Sequence, residues 1–134
     1  METLSIQNKA IDFLNTYNRN VLVEVSEHMD IDSLFTYNRS RYDSDYFETI
    51  QYLDWDEFYF EVKFKIEFDY ESHHAKETRD NDEESIIEFK NVEAITEILV
   101  CLIWIDDEYQ DYDLSEKEMK MIKRYFEKHI TLSE

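Results

Sequence analysis

The chain has 134 residues, with 33 acidic residues against 14 lysines and arginines, and its net charge at neutral pH is −19. Hydrophobic residues make up 43% of the chain and aromatic residues 16%, which excludes disorder, because disordered segments lack aromatic and β-branched residues. A chain of this length forms one domain with its own core. The charge disfavours nucleic acids, anionic membranes and acidic substrates as direct partners, and it favours basic proteins or cations.

The chain contains no glycine, no proline and a single cysteine. Phosphate-binding loops, dinucleotide fingerprints and nucleophile elbows all need glycine, so enzymes built on these motifs are excluded in their usual form. Asparagine, aspartate and serine must therefore fill the turns. Cys101 has no partner for an intrachain disulfide, and the N-terminus has no signal-peptide pattern. The longest apolar run, residues 98–105, is too short to span a membrane. We therefore expect a soluble, cytoplasmic protein.

The first predicted elements are a helix and a short strand. Apolar residues share one helical face between Thr3 and Tyr17, and Asn18 is a suitable residue to end that helix in a left-handed conformation. The β-branched run Val21–Val25 predicts a strand. A short helix capped by Asp30 or Asp32 is predicted after it.

The middle of the chain contains the strongest strand pattern. Residues 37–45 are predicted to be a loop, residues 46–53 a strand and residues 54–57 a turn. Between Asp56 and Tyr70, an aromatic or aliphatic residue occupies every second position, and mostly charged residues lie between them. Because strand side chains alternate between faces, this segment predicts one long strand with an aromatic face that other elements must cover.

The segment after the long strand is predicted to complete a hairpin. Residues 71–84 are polar throughout and indicate a long loop, followed by a strand at 85–90 and a bulge or turn at Asn91. Residues 92–105 leave two alternatives. Val92, Ile95, Leu99 and Leu102 have helical spacing. The run ILVCLIWI at the end of the segment is instead typical of a strand buried on both faces, and we favour a strand from about Thr96 to Ile105. Residues 106–113 indicate an acidic loop.

The C-terminal helix has the clearest boundaries. Ser115 is a predicted N-cap, and Glu118, three residues later, would complete a capping box. Met119, Ile122 and Phe126 lie on its apolar stripe, which should pack against the aromatic face of the long strand. The sequence therefore predicts a single acidic α+β domain over residues 1–134. Its antiparallel sheet is built around a strand at about 57–70, with N- and C-terminal helices packed on it.

Few residues suggest catalysis or metal binding. Cys101 lies in an apolar run, where an inert, buried thiol is expected. His73 and His74 could bind a metal together with Glu77, but adjacent histidines seldom converge on one ion. The acids at 80–84 resemble part of a calcium loop that lacks its glycine and its closing glutamate. We predict no enzyme activity, no catalytic residue, no metal site and no cofactor.

The acidic residues are concentrated in one part of the chain. Residues 67–113 contain 16 acids and three bases, whereas residues 115–130 contain three acids and five bases. Tyrosines near carboxylates are common in surfaces that bind arginine and lysine. In size and charge, the chain resembles the small acidic inhibitors that phages and mobile elements use against restriction or CRISPR systems. That resemblance implies a non-enzymatic inhibitor that mimics DNA or RNA and blocks a basic nucleic-acid-binding protein.

The predicted partner-binding residues lie at the ends of the long strand and in the acidic loops. They are Asp54, Asp56, Glu57, Asp69, Glu71, Asp80, Asp82, Glu83, Glu84, Asp106, Asp107, Glu108, Tyr109, Asp111, Tyr112 and Asp113. The alternative function is an immunity protein that neutralises a cognate basic toxin such as a nuclease. Neither function involves direct binding to nucleic acid or to a membrane.

Overall fold

The computed structural model describes residues 8–76 and 83–134. Within these residues the chain forms two α-helices, six β-strands and two short 3-10 helices. The α-helices are α1 (Lys9–Tyr17) and α2 (Glu116–Lys128), and the 3-10 helices are Val25–Glu27 and Ile31–Leu34. The strands are β1 (Val21–Glu24), β2 (Arg39–Trp55), β3 (Phe58–Lys76), β4 (Glu83–Ile105), β5 (Glu108–Asp111) and β6 (Ile130–Ser133).

The strands form two sheets. β2, β3, β4 and β5 make an antiparallel sheet in that order, and β1 pairs with β6 in a parallel two-stranded sheet. The long strand β3 lies inside the larger sheet, between β2 and β4. The predicted α+β architecture, with a long strand in an antiparallel sheet and a helix near each end of the chain, is therefore confirmed.

The aromatic face of β3 forms the centre of the core. Its alternating side chains from Phe58 to Tyr70 are all at most 1% exposed. Phe126 of α2 packs edge-on against Phe60, with ring centroids 5.4 Å apart, and Phe13 of α1 lies 5.2 Å from Phe58. Both helices therefore cover this face, which we call the inner face, as the alternating pattern predicted.

The N-terminus of α2 confirms the predicted cap but not the predicted capping box. Ser115 accepts a hydrogen bond from the backbone N–H of Glu118 at 3.1 Å. The Glu118 carboxylate turns inward instead of back to Ser115. It accepts hydrogen bonds from the hydroxyl of Tyr112 at 3.0 Å and the N–H of Ile11 at 3.3 Å. The buried carboxylate therefore caps the neighbouring helix α1, a tertiary contact that the local motif does not reveal.

Three segments that were predicted to be loops are largely strands. Residues 39–45 belong to β2, residues 71–76 and 83–84 extend β3 and β4, and residues 108–111 form β5. Most side chains of residues 39–45 and 108–111 are exposed on both faces of the sheet, so these segments can be polar throughout, and neighbouring strands satisfy their backbone hydrogen bonds. Residues 77–82, the remaining part of the second predicted loop, lie outside the described residues.

The strand prediction for residues 96–105 was correct but too short. β4 runs unbroken from Glu83 to Ile105, and its pairing with β3 shifts register twice. One shift lies at Asn91, which has a φ of 50° and confirms the predicted bulge. β6 was not predicted, because four residues directly after a helix carry too weak a pattern.

Aspartate and asparagine take the left-handed positions in this glycine-free chain. Every described residue with a positive φ is one of these two types: Asn18, Asn38, Asp56, Asn91, Asp106 and Asp107. Three of these positions, Asp56, Asp106 and Asp107, lie in hairpin turns that belong to the surface described next. The β2–β3 turn consists of Asp56 and Glu57, and the β4–β5 turn consists of Asp106 and Asp107.

Candidate partner-binding surface

The larger sheet has a second face that the helices leave open, which we call the outer face. On β3 it carries the side chains at odd positions from Tyr59 to His73, because the even positions point into the core. The cross-strand pairs add the even positions 42–54 of β2 and matching residues of β4 and β5. Tyr42 and Ile95 of this face are both 70% exposed. The outer face is therefore an accessible surface of four strands.

Acidic side chains dominate the outer face. Among the residues whose side chains are described, three lysines lie on it, namely Lys63, Lys65 and Lys90, against ten acids, a difference of seven negative charges. The acids are Glu48, Asp54, Glu61, Glu67, Asp69, Glu71, Glu88, Glu93, Glu97 and Asp111. Helix α2, on the other side of the sheet, carries five bases and three acids. The sheet thus separates an acidic surface from a net positive helix.

Large apolar side chains are interspersed with these acids. Those that are well exposed on the outer face are Tyr42, Tyr46, Ile50, Tyr52, Ile86, Ile95 and Trp104. A solvated strand face does not need such residues, whereas aromatic residues are enriched at protein interfaces. The outer face therefore combines many carboxylates with exposed aromatic and aliphatic side chains.

Like charges lie directly opposite each other at two places on the outer face. Glu67 pairs with Glu93 across β3 and β4, and Glu71 pairs with Glu88. Lys90 bridges the second pair, at 3.0 Å from Glu71 and 4.0 Å from Glu88. Among the described residues, no cation lies within ion-pair distance of Glu67 or Glu93. Directly opposed like charges destabilise a sheet, so the Glu67–Glu93 pair stands out as locally unfavourable.

One end of the sheet, which we call the hairpin end, brings seven predicted site residues together. The β2–β3 and β4–β5 turns lie side by side there, since the N–H of Trp104 donates to the carbonyl of Glu57 at 2.8 Å. The Tyr109 hydroxyl donates to Oδ1 of Asp54 at 2.5 Å and so joins β5 to β2 across the sheet. The seven residues are Asp54, Asp56, Glu57, Asp106, Asp107, Glu108 and Tyr109.

The hairpin end contains an open pocket of about 550 Å³, which we call the aromatic pocket. Its lining residues are Asp54, Asp56, Glu57, Trp104 and Tyr109. The Trp104 and Tyr109 rings meet edge to face with centroids 4.8 Å apart. The hydrogen bond to Asp54 raises the pKa of Tyr109 to about 12. Aromatic walls and carboxylates therefore surround the same space.

Two basic side chains of the protein itself already lie near this pocket. Lys9 is 3.2 Å from Glu57, and Arg19 is 3.7 Å from Asp56, whose side chain is 94% exposed. These two contacts leave most of the acids at the hairpin end without a cation, because no described ion pair involves Asp54, Asp106, Asp107 or Glu108. The hairpin end is therefore net negative.

Trp104 is the functional candidate that the sequence did not reveal. It lies in the run ILVCLIWI, which was expected to be buried on both faces, yet its side chain is 45% exposed. Cys101 and Ile103 point into the core, and Leu102 and Trp104 point to the outer face. The alternation is hidden in the sequence because both faces carry apolar residues at this point.

Asp69 and Glu71 lie far from the hairpin end. They are 10 and 12 residues along β3 from Tyr59, or about 35–40 Å at strand spacing. The hydroxyl of Ser44 and the amide of Asn91 hydrogen-bond to Asp69 and hold the pKa of its carboxyl below the usual value. Tyr42 and Lys90 similarly lower the pKa of Glu71. The predicted acidic site is thus divided between the two ends of one surface.

The prediction that Tyr112 is exposed for a partner was wrong. Its side chain is 7% exposed, and its hydroxyl donates to the carboxylate of Glu118. Tyr112 directly follows β5 and points into the core, whereas a loop that consisted only of acidic surface residues would leave it exposed. Asp111 and Asp113 on either side are exposed. Asp80 and Asp82 lie outside the described residues, and Glu83 and Glu84 are described only as backbone of β4.

The described side chains of the weaker chemical candidates do not converge, whereas Glu77 and the acids at 80–84 lie outside the described side chains. Cys101 is buried, as expected, and burial raises the pKa of its thiol to about 12. His73 and His74 contact different strands, with Nδ1 atoms 3.1 Å from Ser40 and 2.9 Å from Ser85. Within residues 8–76 and 83–134, no three histidine, cysteine or acidic side chains converge as metal ligands.

Comparison with known proteins gave no match: no family model fits the chain, and no curated protein or solved structure is significantly similar to it. Neither helix in the described part of the chain has the length and apolar character needed to cross a membrane.

Proposed function

We propose that this protein is a non-enzymatic inhibitor that occupies the basic nucleic-acid-binding surface of another protein with its outer face. The observation that carries the proposal is the continuous outer face with ten acids against three lysines. Neighbouring strands lie about 4.8 Å apart, and outward residues recur about every 6.7 Å along a strand. Four adjacent strands therefore supply carboxylates at a density that one strand alone cannot reach, as mimicry of a phosphate backbone requires.

The unfavourable Glu67–Glu93 pair supports the same proposal. Local features that reduce stability without a compensating contact are expected at functional sites. A lysine or arginine of a partner placed between the two carboxylates would turn their repulsion into attraction. A cationic partner would therefore stabilise the sheet most at the Glu67–Glu93 pair, where the sheet's own charges repel each other.

Exposed aliphatic side chains on the outer face favour the alternative function, an immunity protein that neutralises a cognate basic toxin. Ile50, Ile86 and Ile95 are 44%, 53% and 70% exposed on the outer face. Electrostatic mimicry does not need these aliphatic side chains, whereas a specific complex can bury them. An immunity protein would bind one toxin tightly and would not bind other basic proteins. Its binding would persist in the presence of nucleic acid that binds at a different site of the toxin.

Competition and salt dependence test the proposal. The protein is titrated into a panel of basic nucleic-acid-binding proteins, with and without duplex DNA or RNA, from about 0.05 to about 0.5 M salt. We expect nucleic acid to displace it, and we expect its binding to weaken steeply as the salt concentration rises, because salt screens the ion pairs between the two proteins. Affinity that is independent of salt and unaffected by nucleic acid would overturn mimicry. Selective binding to one panel member, retained in salt, would favour the immunity function.

The variant Glu93→Gln tests the role of the unfavourable pair. It should raise the melting temperature, because it removes a repulsion across the sheet, and should weaken partner binding. Glu97→Gln is the matched control, since Glu97 lies on the same strand but opposite Lys63. The control removes the same charge without relieving repulsion, so it should not raise the melting temperature. Equal melting temperatures for the two variants would contradict the argument.

A further inference from the structure

The aromatic pocket at the hairpin end combines two features that a cationic side chain requires. Trp104 presents an aromatic ring that is 45% exposed, and Asp54 and Asp56 place carboxylates at the pocket wall. A positive charge is attracted to the face of an aromatic ring, and tryptophan is the strongest of the aromatic side chains in this role. The carboxylates add charge-assisted hydrogen bonds.

We propose that the aromatic pocket is the anchor point of the interface and binds an arginine side chain of the basic partner. This inference rests on the proposed function and names the chemistry of one contact within it. A guanidinium group is planar, so it can stack on the Trp104 ring while its edge donates hydrogen bonds to a carboxylate. A lysine ammonium group is compact and strongly hydrated, and it can satisfy only one of these contacts well.

The pocket walls are held in place before any partner binds. The Tyr109 hydroxyl is bonded to Asp54, and the N–H of Trp104 is bonded to the carbonyl of Glu57. The ring of Tyr59 on β3 lies 5.9 Å from that of Tyr109 on β5, so the two rings meet across β4. A prearranged pocket lowers the entropy cost of binding, and hot spots of interfaces are commonly tryptophan, tyrosine and arginine.

The acids of the pocket remain available to a partner. Asp54 uses one carboxylate oxygen for Tyr109, and its second oxygen has no described partner. The contact of Asp56 with Arg19 is long, at 3.7 Å, and lies in solvent, where such ion pairs contribute little. A guanidinium group stacked on Trp104 can therefore displace Arg19 from Asp56 at low cost.

Fluorescence of Trp104 provides a direct test. Trp104 and Trp55 are the two tryptophans of the chain, so Trp55→Phe leaves Trp104 as the single reporter. Oligo-arginine and oligo-lysine peptides of equal length are titrated into this variant. We expect the arginine peptide to change Trp104 emission and to bind at least about threefold more tightly, as expected for an exposed cation–π contact. Equal affinity for the two peptides would overturn the proposal.

Substitutions identify the residue that is responsible for the preference for arginine over lysine. Trp104→Leu should abolish the preference for arginine, and Trp104→Phe should retain part of it. Tyr46→Leu is the matched control, because Tyr46 is an exposed aromatic residue of the outer face outside this pocket. These variants are compared by peptide binding measured calorimetrically, with circular dichroism to confirm folding. Equal losses in Trp104→Leu and Tyr46→Leu would overturn the assignment to this pocket.

The anchor and the proposed function fail in different ways. If both peptides bind equally and Glu93→Gln weakens them as much as Trp104→Leu does, the acidic surface stands and the arginine anchor is wrong. If Trp104→Leu removes the arginine preference but nucleic acid does not displace the protein from basic partners, the anchor stands and nucleic-acid mimicry is wrong.

Discussion

The absence of glycine lowers stability at turn positions that have a positive φ. Asp106 and Asp107 form the two-residue β4–β5 turn with φ values of 52° and 63°. A hairpin turn with two positive φ angles favours glycine, because a Cβ atom in this conformation approaches the backbone carbonyl. Aspartate tolerates the conformation but does not make it favourable. At the same time, both residues add negative charge to the hairpin end.

We therefore predict that Asp107→Gly stabilises the protein. The gain in the free energy of unfolding, measured with urea, should be about 0.5–1 kcal/mol, since glycine adopts this conformation without strain. Asp113→Gly is the control, because it removes the same charge at an exposed position without a positive φ. Asp113→Gly should leave stability unchanged or lower it. A loss of stability in Asp107→Gly would contradict the turn argument.

Glu118 is the residue whose role changes most between sequence and structure. Its carboxylate is 1% exposed and accepts hydrogen bonds from Tyr112 and Ile11. Removing one partner of a buried network leaves the other donors unsatisfied. Glu118→Ala should therefore lower the free energy of unfolding by about 2–4 kcal/mol in urea titrations. Glu116→Gln, at an exposed site in the same turn, should change it by less than about 0.5 kcal/mol; similar losses in the two would contradict the network.

The pH dependence of Glu118 has a defined sign. Burial raises the pKa of this carboxyl above its usual value, despite the hydrogen bonds that oppose the shift. The native state therefore holds the proton more tightly than the unfolded state. The contribution of Glu118 is largest below the usual carboxyl pKa of about 4.3 and falls as the pH rises through the native pKa. Relative to Glu118→Gln, the wild type should lose stability as the pH rises above about 4. A gain over this range would refute the shift.

At the scale of elements, the core depends on the cover over one face of β3. Phe126 of α2 contacts the rings of Phe60 and Phe64 on β3 and that of Trp55 on β2. Phe13 of α1 packs on Phe58, and Phe47 and Phe89 of the adjacent strands pack on Phe68. The longest apolar alternation in the chain therefore becomes the centre of the core. β1 and β6 extend the covering layer as a small parallel sheet.

We predict that Phe126→Ala lowers the free energy of unfolding by about 3–5 kcal/mol, as expected for the loss of a fully buried phenylalanine. Met121→Ala is the matched control, since Met121 lies on the same helix but is 39% exposed. The control should change stability by less than about 0.5 kcal/mol. Urea denaturation of both variants checks the prediction, and comparable losses would show that α2 does not seal the core through Phe126.

At the scale of the whole molecule, a net charge of −19 opposes folding. The acids of the outer face lie on adjacent strands, and α2 carries a net positive charge on the other side of the sheet. The same arrangement that repels itself at low salt attracts a basic partner at long range. Stability and binding should therefore respond to salt in opposite directions.

We predict that the melting temperature rises when salt is increased from about 0.01 to about 0.5 M, because screening weakens the repulsion between carboxylates. The double variant Glu67→Gln with Glu93→Gln should show a smaller rise, since it lacks the opposed pair on the outer face. Differential scanning calorimetry of both proteins provides the measurement. A melting temperature that falls over this range would show that attractive ion pairs dominate the charge of the molecule.

Several features follow from the sequence alone. The alternation from Phe58 to Tyr70, the Ser115 cap and the left-handed use of Asn18 and Asn91 each depend on local geometry, and each is present in the structure. The acidic character of the chain can likewise be read from the sequence without knowledge of the fold. Local periodicity and capping determine an element wherever one face is apolar and the other polar. That condition holds for β3 and α2.

Only the tertiary structure decided which polar segments are strands and where the acids meet. Residues 39–45 and 108–111 are strands because neighbouring strands satisfy their backbone groups, which no local pattern encodes. Cross-strand register joins Trp104, Tyr109 and Asp54 into one pocket and sends Tyr112 into the core. Side chains far apart in the chain become neighbours through pairing. The location of the candidate surface is therefore a property of the sheet, whereas its charge is a property of the sequence.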